Sequence, residues 1–379
     1  MKRAVLVLGL LALAACSKDK DVAPPAELVD FKATLGIQKA WTESTGGGDD
    51  VLRLGLSPAV EGDSAYLAGA DGRVRALTLA TGRTLWSADV KAPLGGGPGV
   101  GYGLVVVGSI KGDVIALDAT TGARRWQVRV LGEVLSRPAV GEAIVVVRTV
   151  DGRLRGLRVA DGTEAWVYEQ PVPRLSLRGA AAPVIAGDAV YCGFDNGKVV
   201  AVDLANGDLL WDSAVNPPSG RTELERLADI DSAVIVAGKN IFVAGFQGRV
   251  AMLAIESGQA WWSRELSSHR GIALDEDNVY LSTSDGDVVA LLRRDGTELW
   301  RQSALKHRML SAPAVDGGAV VVADFEGYVH WLDRASGAIS ARASAGGGRV
   351  SNGPVAAEGH VLVQSDGGTV YAFRATPRG

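Results

Sequence analysis

Apolar and polar positions alternate in short runs along nearly the whole chain, and the runs come in sets of four. A set opens on a short Pro/Ala/Val strand, as at Ser57-Pro58-Ala59-Val60, Arg137-Pro138-Ala139-Val140 or Ser311-Ala312-Pro313-Ala314-Val315. An apolar run follows, such as Leu104 to Val107, Ile144 to Val147 or Val320 to Val322. Next comes a polar-Gly turn and a period-2 strand: Asp71-Gly72, Lys111-Gly112, Asp151-Gly152, Asn196-Gly197, Gln247-Gly248, Asp285-Gly286, Glu326-Gly327 and Asp366-Gly367. The glycine supplies the positive φ of a tight hairpin, and the alternation marks a strand with one buried face. The set closes on Gly, three residues, Trp. This motif ends at Trp86, Trp126, Trp166, Trp211, Trp262 and Trp300, and Ala341 takes the Trp place after Gly337. The Trp-to-Trp steps are 40, 40, 45, 51 and 38 residues. A period near forty built from short strands predicts a β-propeller, one four-stranded blade per repeat, in the order inner, two middle, outer.

The hairpin motif occurs eight times, yet the chain stops after the eighth strand, Val370-Tyr371-Ala372-Phe373. The missing outer strand is assigned to the segment around Ile37 to Trp41, which carries a Trp of its own. Pairing both chain ends within one blade leaves no open sheet edge at the seam. The prediction is therefore all-β: an eight-bladed propeller of antiparallel blades within residues 31–379, closed by an N-terminal strand. The seven Trp residues in register, Trp41 and the six above, are assigned to packing between blades.

The first sixteen residues are of another kind. Lys2-Arg3 precedes a twelve-residue apolar stretch, Ala4 to Ala15, too short to span a bilayer, and the stretch ends in Leu13-Ala14-Ala15-Cys16. This resembles a bacterial lipobox, which implies a signal peptide at 1–15 and acylation of Cys16. Several acyl chains on one cysteine anchor stably where one is marginal. Ser17 after the cysteine favours the outer membrane by the same resemblance, and residues 16–30, with Pro24-Pro25, are expected to form a flexible tether. Cys192, the only other cysteine, lies in an apolar run and reads as a small buried residue.

A net charge of −4 with no basic stripe argues against nucleic acid. Catalytic signals are thin. Ser303-Ala304-Leu305-Lys306 lacks companion motifs, and His269, His307, His330 and His360 fall in separate repeats, where surface or loop places are expected. Asp275-Glu276-Asp277 does not extend into a calcium loop. The stretch Gly95 to Gly103 lacks the lysine and helix of a phosphate loop and reads as an inter-blade linker. No cofactor or metal is expected.

Two outer-to-inner connections are longer than the rest, Val167 to Ala182 and Asp212 to Asp231, and they flank the fourth blade on one face of the disc. Loops on a rigid scaffold are where binding residues gather. The first holds Arg174-Leu175-Ser176-Leu177-Arg178-Gly179; the second holds Glu223-Leu224-Glu225-Arg226-Leu227-Ala228-Asp229-Ile230-Asp231. Exposed leucine beside paired charge suits a docking patch. The same residues also suit plugs, with Arg178 paired to Asp229 or Asp231 inside the fold.

Lipobox, eight blades, these two loops and Glu326-Gly327-Tyr328-Val329-His330-Trp331 together resemble the outer-membrane protein assembly factor family BamB. The resemblance implies a non-enzymatic lipoprotein of the β-barrel assembly machinery, on the periplasmic side of the outer membrane. It implies docking on the POTRA repeats of BamA through Leu175, Leu177, Arg178, Asp229 and Asp231, and contact with unfolded outer-membrane substrates as a further role. Two other classes remain open: a quinone-dependent dehydrogenase-like propeller, and a scaffold for another envelope component. The dehydrogenases, by resemblance, need a central calcium site, an Asp base and often adjacent cysteines; this sequence has no cysteine pair.

Overall fold

A computed structural model describes residues 23–47, 54–175, 181–217, 221–222, 228–246, 248–268 and 270–378. Among these there is no helix, and the strands form eight antiparallel four-stranded blades. Blades 1 to 7 occupy 59–89, 94–129, 139–169, 184–214, 235–265, 272–302 and 314–344 in chain order. Blade 8 joins Val355–Ala357, His360–Gln364 and Thr369–Pro377 to the N-terminal strand Leu35–Ser44 as its outer member. That strand pairs with Thr369–Pro377 from Leu35↔Pro377 to Ser44↔Thr369, so the two ends of the chain close the ring.

The Trp motif couples seven of the eight blades to the next by a ring and a hydrogen bond. Trp86 Nε1 donates to the Ala119 carbonyl at 2.8 Å, and the same bond runs from Trp41 to Leu79, Trp126 to Val159, Trp166 to Leu204, Trp211 to Ile255, Trp262 to Arg293 and Trp300 to Arg334. The motif glycine of the following blade lies flat on the indole. A Cβ on Gly122 would sit 2.5 Å from Trp86, and one on Gly207 2.7 Å from Trp166. Both glycines also hold positive φ, so no other residue fits there without strain. Across the blade, six of the seven Trp residues face Ala or Gly on the third strand, as Trp86 faces Ala76 and Trp166 faces Gly156.

The decayed seventh motif has a physical cause. Blade 8 takes its outer strand from the N-terminus, so no turn joins its third and outer strands. A Trp at position 341 would find neither the glycine nor the carbonyl that the others use. The large and small residues have exchanged strands instead: Trp331 on the third strand faces Ala341 on the outer one. Trp331 is fully buried and meets Phe373 of blade 8 edge-on, with ring centroids 5.8 Å apart.

Two expectations change. Leu94–Gly101 is the inner strand of blade 2 and not a linker. Its glycines serve close approach, because a Cβ on Gly96 or Gly99 would strike the backbone of Ser136 or Pro138. Residues up to 30 also do not all stand clear of the disc, since Ala26 donates to the Lys306 carbonyl at 2.9 Å.

Candidate docking surface

The face carrying the outer-to-inner connections is the irregular one. Five connections run four to eleven residues, while 170–183 has fourteen and 215–234 has twenty. A third long one, 45–58, enters blade 1 from the closing strand and was not anticipated. Its signal was the wide gap between Trp41 and Pro58. Gly55–Leu56 within it pairs in parallel with Gly96 and Gly97, and Asn352 donates to the carbonyls of Leu54 and Leu56 at 3.0 and 2.9 Å.

The two connections around blade 4 are pinned from beneath. In the first, Gln170 is buried, donates to the Tyr168 hydroxyl at 2.6 Å and accepts from Asn196 at 3.1 Å. The chain then rises to the surface. Val172 is 41% and Leu175 44% exposed, and Ala181 is wholly buried on the return. In the second, Asn216 donates to the Phe246 carbonyl at 2.7 Å. Ala228, Asp229 and Ile230 re-enter the core, with Ile230 lying against Gly193 where a side chain would collide.

Leu175 thus stands in solvent, Asp229 is fully buried and Asp231 is half-buried. The carbonyl of Asp229 accepts from Phe246 N–H at 2.9 Å. Leu177, Arg178 and Cys16 lie outside the described residues. Leu131, 75% exposed on the neighbouring connection between blades 2 and 3, is an apolar side chain of the same face that the loop-length argument missed. A lone leucine in a connection of ordinary length carries no sequence signal.

Beneath the loops sits a buried charge. Arg148, 1% exposed at the end of a blade 3 strand, donates to Asp195 and stacks 4.7 Å from the Phe194 ring. Burial works against its charge, and the carboxylates of Asp195 and Asp231 hold it charged. Asp231 therefore lies within electrostatic reach of an internal guanidinium. A buried pair of this sort adds little net stability while intact, but losing one partner is costly. The Cys192 thiol, pushed up by burial to about 11, is inert as a nucleophile.

Two of the histidines depart from expectation. His330 and His360 are buried strand residues, and His307 is in a turn; His269 lies outside the described residues. His330 Nε2 and Asp324 Oδ2 are 3.1 Å apart, and Arg342 Nε is 3.3 Å from His330 Nδ1, which fits a neutral ring donating to Asp324 and accepting from Arg342. Among the described residues no three His, Cys, Asp or Glu side chains converge as a metal-binding group would require. Among the described residues, then, no such cluster is available to a calcium–quinone pair.

Fold and surface together define a class: a Trp-docked, eight-bladed propeller whose built feature is a face of pinned loops. The architecture is shared with a quinohemoprotein alcohol dehydrogenase from Comamonas testosteroni at a TM-score of 0.71. That likeness covers 89% of this chain and 76% of the other at 14% identity, and it speaks for the fold alone. A solved BamB structure from Moraxella catarrhalis superposes at a TM-score of 0.82 with 29% identity, covering 89% of this chain and all of that one. The family profile described as outer membrane protein assembly factor BamB matches residues 26–90, 70–302 and 284–377. Relatives bearing that description are 50% identical in Pseudomonas aeruginosa, over 98% of this chain and 97% of theirs, and 36% identical in Escherichia coli K12, over 98% and 99%. The chain belongs to the BamB family of outer membrane protein assembly factors.

Proposed function

We propose that this protein is a non-enzymatic scaffold lipoprotein of outer-membrane protein assembly. Acylated Cys16 holds it to the membrane with the propeller on the periplasmic side, and the face of long connections docks on the POTRA repeats of BamA. The observation that carries this reading is the exposure of Leu131, Val172 and Leu175 on adjacent connections of one face, above loops tied down by Gln170, Asn216 and Ile230. Apolar anchors on a preorganised surface lose little entropy on binding. Leu177 and Arg178 extend the patch in this reading. Asp229 and Asp231 contribute from within, Asp231 by its charge near Arg148.

Shared architecture favours one rival, a quinone-dependent dehydrogenase. The absence of a converging ligand set among the described residues weighs against it. Purification of the native lipoprotein from membranes separates the readings. Recovery of a β-barrel bearing POTRA repeats is expected. Recovery of another envelope component instead, or dye reduction after loading with quinone and calcium, would overturn the proposal.

A further inference from the structure

Residues 26–34 lie along the rim of blade 7 and are held along their length. Ala26 N–H donates to Lys306 O at 2.9 Å, and its carbonyl accepts from Arg308 Nη1 at 2.9 Å. The Val29 carbonyl accepts from Arg342 Nη2 at 3.3 Å, and Thr34 N–H donates to Ser340 O at 3.0 Å. Leu28 packs against the core around Trp300, Leu305 and Leu310, and the Phe31 ring lies 5.0 Å from the Arg342 guanidinium. Asp30 adds an opposite charge near Arg342.

The two arginines are themselves fixed. Arg308 is 3% exposed, donates to Asp324 at 2.7 Å and pairs with Glu326. Arg342 is 3.3 Å from buried His330, which Asp324 positions in turn. Guanidiniums held this way present a preformed fork, so the segment settles onto them at little entropic cost. Lys306 and Arg308 belong to the connection 303–313, on the docking face. From there the segment descends to Ser340, at the foot of the blade 7 outer strand, before the closing strand begins.

We infer that residues 26–34 form a strap, clamped by Arg308 and Arg342, that fixes where the N-terminal anchor leaves the disc and limits how far the docking face can stand from the bilayer. The inference rests on the proposed acylation of Cys16. Ten Cα steps from Cys16 to Ala26 reach at most about 36 Å. Freeing the strap to Leu35 adds nine steps and about 32 Å. The clamp thus roughly halves the leash.

The test uses the full-length acylated protein in phosphatidylethanolamine–phosphatidylglycerol vesicles, with a donor dye at Leu131→Cys and acceptor dye on the lipids. Leu28→Asp/Phe31→Ala loosens the strap from outside the blades, and Arg342→Ala loosens it from the disc side. Expected are protection of the Ala26 and Thr34 amides from hydrogen exchange in the unmodified strap, loss of that protection in both variants, and a fall in energy transfer, with the melting curve of the Leu28→Asp/Phe31→Ala variant close to the parent's. Exchange at free-peptide rates in the unmodified strap, or unchanged transfer after its release, overturns the inference. Acylation is read separately from the mass of the N-terminal peptide. An unacylated, vesicle-free protein with a protected strap sinks the anchor and, with it, the leash, but not the docking face.

Discussion

The two faces of the disc are built on different terms. On the face opposite the long connections, one closure repeats around the ring: Leu79 N–H donates to Asp63 O, Ala119 to Gly103, Val159 to Ala143 and Leu204 to Asp188, and so on to Arg334 and Gly318. The carbonyls of those same residues accept the Trp indoles of the preceding blades. Turn side chains there bond their own backbone, as Asp161 accepts from Thr163 N–H at 2.9 Å and Asp118 from Thr121 N–H at 2.8 Å. On the connection face, lengths vary from four to twenty residues, charges are buried and apolar side chains stand in water. Where the repeat is kept, most turn side chains are consumed by the fold, although Tyr102 stands 65% exposed there. Where it is broken, side chains are left over for something else.

Three perturbations sharpen that contrast, in falling order of effect. Arg148→Met should cost about 3–5 kcal/mol of stability, because it strips the buried Asp195 of its partner beneath both insertions. Chemical denaturation gives the number, and faster proteolysis of 170–183 and 215–234 than of the opposite turns gives its location. Acid should come next. Burial holds His330 below its ordinary value, so the unfolded chain takes up the proton first. The His330 contribution is complete above about pH 6.5 and fades as pH falls below that. Asp324 sits below its ordinary value through His330 and Arg308, although burial opposes this, so a further loss follows below about pH 4. Melting temperature measured against pH should fall on acidification, and His330→Gln should flatten the upper part of the fall. Smallest is Asp161→Ala on the plain face, which loses one exposed turn bond and should leave the melting curve close to the parent's and binding untouched.

Much of this was legible because each Trp–Gly couple joins two repeats and leaves a fixed period. The substitution at Ala341 was legible only as decay. Its cause is topological, and its compensation at Trp331 lies on another strand, where no fixed spacing points to it. A glycine run that serves backbone approach, as at Gly96 and Gly99, looks in sequence like a linker. Loop length marked the right face, but not which side chains stay out. Leu175 and Ile230 have similar apolarity, yet one is exposed and the other wholly buried, because Gly193 opens room for Ile230 alone. The strap at 26–34 is anchored through backbone carbonyls at Ala26 and Val29, which no side-chain pattern reveals.

The most direct measurement is the affinity of purified POTRA repeats for the soluble propeller, compared across the two faces. Leu175→Asp and Leu131→Asp place a charge in the proposed apolar patch, and Asp161→Ala and Tyr102→Ser alter the opposite face. Burying an uncompensated carboxylate at a contact should weaken binding at least about tenfold for each leucine variant, with melting temperatures near the parent value. The plain-face variants should bind as the parent does. Parent-like affinity in well-folded leucine variants, or weakened binding in the plain-face pair, would contradict the assignment of docking to the face of long connections.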